Sequence, residues 1–160
     1  MASQAQRAEA DWRRLMRESL TRSTALIASA LLVLFAIFCL AALVSHDGAD
    51  NALSTAAAGA PHNWMGQPGA YASDILLLIF GPASVLMLPL IVVSARRLWR
   101  DEPLIGLRGQ IVRTLLGTLG VALAFALFTS PESIDAPAGW GGLPAMLIAH
   151  GLSSLASYAG

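Results

Sequence analysis

The sequence predicts an all-α membrane protein: a small transmembrane helical bundle of three clear spans and a C-terminal amphipathic helix. Three observations predict it. The 160 residues are 56% hydrophobic and 12% charged, against about 25% charged in an ordinary soluble domain. That much apolar surface does not fit one small core and belongs in a bilayer. The apolar residues also come in uncharged runs about 20 residues long, the length of a helix crossing some 30 Å of hydrocarbon. Finally, all ten basic residues are arginines, and they fall in two patches.

Residues 1–24 form a basic arm with Arg7, Arg13, Arg14, Arg17 and Arg22. Trp12, Leu15, Met16 and Leu20 give it a modest helical stripe. It reads either as an amphipathic helix on the membrane surface or as a solvated tail that sets orientation. Residues 25–160 form the membrane domain. Its first span, 25–44, has no charge and is too long for a signal-peptide core of about 7–15 residues. The second, 75–95, holds Pro82 and Pro89, tolerated in a membrane bundle as kinks; Gly81-Pro82 is the expected bend. The third, 110–130, carries Arg113 near its start, within snorkelling reach of the headgroups. The stretch 143–160 is poor as a span. Ala145, Ile148, Leu152, Leu155 and Ala159 fall on one helical face, and His150, Ser153 and Ser157 on another. That pattern predicts a helix over about 143–158, lying at an interface or against a partner.

Charge placement predicts the topology. The second arginine patch is Arg96, Arg97, Arg100, Arg108 and Arg113. The stretch 45–74 and everything after Arg113 hold only acids: Asp47, Asp50, Asp74, Glu132 and Asp135. By the positive-inside rule the N-terminus is cytoplasmic and the loop 45–74 faces outward. An odd number of spans, and no polar tail after Gly160, make a fragment the expectation.

Several chemistries are excluded or disfavoured. Lysine is absent, so no Walker A phosphate loop is present. The single cysteine, Cys39, sits in an apolar run and reads as a small hydrophobe. His46, His62 and His150 fit no helical ligand spacing, so no metal is expected even beside Asp47 and Asp50. Nothing locates a Ser-His-Asp triad. No catalytic or cofactor-binding residue is expected. Gly117, Gly120 and Ala124 share a face of the third span and suit close helix packing, within one subunit or between subunits. The Ala/Gly-rich middle of the loop, 56–60, predicts partial mobility.

Residues 63–74, NWMGQPGAYASD, precede the second span. Trp64 and Tyr71 belong at headgroup level. Gly66 and Gly69 permit a turn and close approach, and Pro68 suits a helix start. Asp74 then reads as a partly solvated acid favoured by the helix dipole. The sharper alternative is a bundle-facing hydrogen-bond partner. The pattern Asn63, Trp64, Gly66, Gly69, Ala70, Asp74, followed by Phe80, Gly81 and Pro89, resembles the four-span N-terminal domain of the FtsK/SpoIIIE DNA translocases. The LVSH of 43–46 and the pair Gly141-Gly142 fit as well. The resemblance implies a membrane-anchoring, septum-targeting domain acting in cell division and chromosome segregation, in the bacterial inner membrane. It implies a hexameric homo-oligomer and other division-machinery membrane proteins as partners, besides the lipid bilayer. ATP, Mg and DNA would belong to a motor domain that these residues lack, so the chain itself is not expected to be an enzyme. The rival readings are a small transporter or channel subunit, which should pair polar groups at mid-membrane, and a membrane assembly factor.

Overall fold

A computed structural model describes residues 2–129 and 136–159; Glu132 and Asp135 lie outside that range. The first helix, α1 (Ala2–Val44), runs unbroken through the basic arm into the first span. The arm contains no glycine or proline to stop it. Arg13–Glu9 at 2.7 Å and Arg14–Glu18 at 2.8 Å add i,i+4 pairs along its exposed side. At 1.5 Å per residue, α1 is about 65 Å long, twice the hydrocarbon thickness, so one end projects beyond the lipid.

The second span is built in three pieces: α2 (Gly66–Phe80), a 3₁₀ segment (Gly81–Met87) and α3 (Leu88–Trp99). The break falls at Gly81-Pro82, where the proline lacks an N–H and cannot continue the α ladder. The tighter 3₁₀ winding extends to Met87, and Pro89 sits in the first turn of α3. The helix begins at Gly66, two residues before Pro68. The third span, α4 (Leu107–Phe128), follows a turn in which Gly106 is left-handed. A short 3₁₀ turn (Gly139–Gly141) leads into α5 (Gly142–Ala159). Among the described residues, three helical stretches are long and apolar enough to cross a membrane: Asp11–Val44, Gly66–Trp99 and Leu107–Phe128.

Packing is inverted relative to a soluble domain. Among the described residues, the buried apolar ones are almost all small: Ala36, Cys39, Ala42, Ala70, Ala83, Ala95, Ala122, Ala138 and Ala145, with Leu77 the large exception. Leu31, Phe35, Ile37, Val92 and Leu116 face outward. In lipid, large side chains gain nothing by burial, and small ones let backbones approach closely. α1 packs most extensively on α3. There Ser29 Oγ donates to the Ala95 carbonyl at 2.8 Å. About two turns towards the N-terminus, Arg22 donates to the Trp99 carbonyl at 2.9 Å and lies 3.7 Å from Asp101. Both arginine patches therefore share one end of the bundle, here the arginine end. The loop 45–65 closes the other, the loop end.

α5 packs chiefly by its first turn. Ala145 joins Ala83 and Ala122 in the core, while Ile148, Leu152 and Leu155 on the same face are exposed. The expected apolar face is thus uncovered beyond one turn among the described residues.

Candidate functional site

Among the described residues, the loop end holds the densest polar network. α1 ends with unpaired carbonyls, as any helix must. Asn63, 4% exposed, covers them: its Nδ2 donates to the carbonyls of Ala42 (2.9 Å) and Ser45 (3.3 Å). Its Oδ1 accepts from Met65 N–H at 3.0 Å, which sets up the turn into α2. Ser45 Oγ accepts from Trp64 N–H at 3.0 Å, adding a second tie between α1 and that turn.

Two buried carboxylates hold the loop. Asp50 accepts the His62 N–H at 2.7 Å and the Asn63 N–H at 2.9 Å. Loss of hydration is the largest single influence on Asp50 and pushes its pKa up. The His62 and Asn63 amides, with the His62 ring, together outweigh it and hold the carboxyl below its ordinary range. Asp74, 1% exposed, accepts the Ser54 N–H at 2.9 Å and the Ser54 hydroxyl. The solvated, dipole-stabilised reading of Asp74 is thereby corrected. It is the inward-facing hydrogen-bond partner, and what it holds is the loop rather than another span. The cause is the fold of 51–61, which lays Ser54 over α2 and shuts out water. Gln67 Nε2 adds a bond to the Asn51 carbonyl, so the loop is tied at Asp50, Asn51, Ser54 and Asn63. Ala56, Ala58 and Gly59 between the ties are exposed.

Gly69 is fixed by this knot. A Cβ there would sit 2.2 Å from Asn63 Oδ1 and 2.4 Å from Met65 Cβ. Ala70, 2% exposed, packs beside it. Gly81 and Gly142 form a second clasp deeper in the bundle. Both have positive φ, 58° and 69°. A Cβ on Gly81 would meet the Trp140 carbonyl at 2.3 Å, and one on Gly142 the Ile79 carbonyl at 2.5 Å. Trp140 stacks obliquely on Phe125, ring centres 5.6 Å apart.

Of the motif residues, Asn63, Gly69, Ala70 and Asp74 are brought together in the knot, and Gly81 in the clasp. Trp64 is 70% exposed at the edge, Gly66 opens α2 with open space around it, and Pro89 lies apart on α3. No described residue stands within 4 Å of a Cβ on Gly117 or Gly120, and Ala124 is exposed. The face of α4 that packs internally is instead Thr118 and Ala122.

Sequence reasoning missed Asp50 and Ser54 as structural residues. Their partners lie 12–20 positions away across an irregular loop, and no periodicity links them. It also missed that Asp47, Asp50 and His62 come together, their donor atoms within 4.8 Å of one another. His62 Nδ1 is 3.2 Å from Asp50 and 3.4 Å from Asp47. The Asp50 oxygens are already engaged by amides, and the His62 side chain is largely exposed. As it stands, the trio is a polar cluster in which the amide bonds to Asp50 pin the loop.

Comparison with known proteins places this arrangement in context. A profile of the 4TM region of DNA translocase FtsK/SpoIIIE matches residues 21–160. The DNA translocase FtsK of Brucella melitensis biotype 1 is 38% identical over 107 residues, which is 64% of this chain and 12% of that protein. That of Brucella suis biovar 1 matches to the same extent. The match therefore covers about an eighth of the length of these relatives. No solved structure matches the chain.

Proposed function

From the premise that the chain belongs to the family of the membrane-spanning region of the FtsK/SpoIIIE DNA translocases, we propose that it anchors such a translocase in the bacterial inner membrane and targets it to the division septum. The matched region is the membrane part of those proteins and not their motor. ATP and Mg chemistry, and contact with DNA, belong under this reading to a motor joined to it. The anchor's work is mechanical and organisational. It fixes the motor's position, keeps subunits of a hexamer close, and presents the loop end to other membrane proteins of the division machinery.

The observation that carries the reading is the family match over 21–160, containing both the polar knot and the glycine clasp. A loop that merely joined two spans needs no buried acids. Here Asp50 and Asp74 fix its shape, as a surface offered to a partner requires. The orientation proposed is arginine end in the cytoplasm and loop end outside.

The test is microscopy of residues 1–160 fused to a fluorescent protein, in dividing cells. A band at the division site is expected; uniform membrane fluorescence overturns the targeting role. Orientation is read from Ala58→Cys in a Cys39→Ser background, using an impermeant maleimide on intact cells with a permeabilised outer barrier. Labelling is expected from outside, and labelling only after lysis inverts the topology.

A further inference from the structure

Two cavities lie next to each other where α1, α2 and the 3₁₀ segment meet. The first, about 260 Å³, is walled by Leu43, Leu77, Pro82 and Val85, and His46 and Ser84 border it. The second, about 300 Å³, is apolar and bordered by Phe35, Cys39, Leu76, Met87 and Ile91. Ser84 lines both. It is 1% exposed, and its Oγ has no hydrogen-bond partner. His46 Nε2 is buried and unpartnered as well. Buried polar atoms are nearly always paired, so two orphans on one cavity point to a ligand.

The surrounding hydrogen bonds define its chemistry. Ser73 Oγ donates to the Ala70 carbonyl at 3.1 Å, and in that arrangement it accepts from His46 Nδ1, also at 3.1 Å. With the imidazole proton on Nδ1, His46 turns the Nε2 lone pair into the cavity. The Ser84 hydroxyl both donates and accepts. A complementary head group must donate to Nε2 and accept from Ser84. A hydroxyl or a protonated carboxyl does both; an ester only accepts. The apolar cavity suits the chain behind such a head. Phe35 lies about 13 Å inward of the end of α1 at Val44, so a tail placed there runs from the loop end towards the middle of the bilayer.

We propose that the paired cavities bind a single-chain amphiphile with a hydroxyl or carboxyl head, a long-chain alcohol or fatty acid. The head bridges His46 Nε2 and Ser84 Oγ, and the tail lies against Cys39.

Cys39, the single cysteine of the chain, reports occupancy of the apolar cavity. The experiment follows its alkylation by N-ethylmaleimide in the full 160-residue chain reconstituted in nanodiscs, with oleic acid, oleyl alcohol or methyl oleate added. At least one of oleic acid and oleyl alcohol is expected to slow the reaction about fivefold or more, saturably, and methyl oleate to have little effect. Slowing by the acid alone identifies a carboxyl ligand, by the alcohol alone a hydroxyl ligand, and by both the shared chemistry. Ser84→Ala removes only an unpaired hydroxyl, so it should fold, and its protection should fall several-fold; an unchanged circular dichroism melt verifies the fold. Equal slowing by all three probes, slowing by none, or full protection in Ser84→Ala overturns the proposal, leaving ordinary surrounding lipid or trapped water as the occupant.

Discussion

The two ends of the bundle use charge in opposite ways. At the loop end, Asp50 and Asp74 are buried, and each accepts two hydrogen bonds from the loop. At the arginine end the charges are exposed or half-buried and loosely paired. Arg13 and Arg14 meet their glutamates in water, and Arg22 stands 3.7 Å from Asp101. An exposed pair contributes little, because water screens it and two long side chains must be ordered. A buried carboxylate bonded to backbone amides fixes the chain around it, because leaving it or its donors unpaired is expensive. One end is therefore held in shape by its charges. The other carries its charges without being shaped by them.

The sharpest way to break this contrast is Asp74→Ala. It strips Ser54 of both acceptors and should destabilise the loop end by about 3 kcal/mol. Hydrogen exchange across 51–61 should accelerate strongly while α1 and α3 stay protected. Unchanged exchange would mean that the buried acid does not organise the loop. Gly69→Ala comes next. Its new Cβ meets Asn63 and Met65, and overpacking of this kind costs roughly 2 kcal/mol. The thermal midpoint in mild detergent should fall, and Gly69→Ser should do no better.

Acid separates the two ends by titration. Asp50 has a folded pKa below its unfolded value. Its contribution is therefore complete above the ordinary aspartate value of about 3.9 and is lost as pH falls through the depressed folded value. Loop protection should persist at pH 5 and fade below about pH 4, and Asp50→Asn should abolish that dependence while lowering protection at neutral pH. The smallest effects lie elsewhere. Glu9→Ala should change stability by no more than about 0.5 kcal/mol. Gly120→Leu, at a site with no described neighbour within 4 Å, should leave the monomer's melting unchanged within about 0.5 kcal/mol. If it also dissociates an oligomer on cross-linking, the glycine face of α4 is an intersubunit surface.

Much of the fold was legible in the residues. The three spans follow from uncharged runs, since hydrocarbon demands about 20 apolar residues per crossing. The break in the second span follows from Gly81-Pro82. Asn63, Gly69, Ala70, Asp74 and Gly81 stood out by their types and their position before a span, and four of them meet in one knot. The continuous helix through the arm was less legible. Helix or solvated tail depends on a balance of weak propensities and i,i+4 pairs such as Arg13–Glu9, each a few tenths of a kcal/mol.

The sequence alone determined that the chain crosses lipid, where it crosses, and that its arginines share one end. Those properties depend on transfer free energies that add residue by residue along the chain. Only the tertiary structure decided that Asp74 is buried rather than solvated, that Asp50 and Ser54 matter, and that Ser84 and His46 face cavities without partners. Such outcomes depend on which groups an irregular loop and a broken helix bring within 3 Å of one another, and no pattern along the chain encodes that distance.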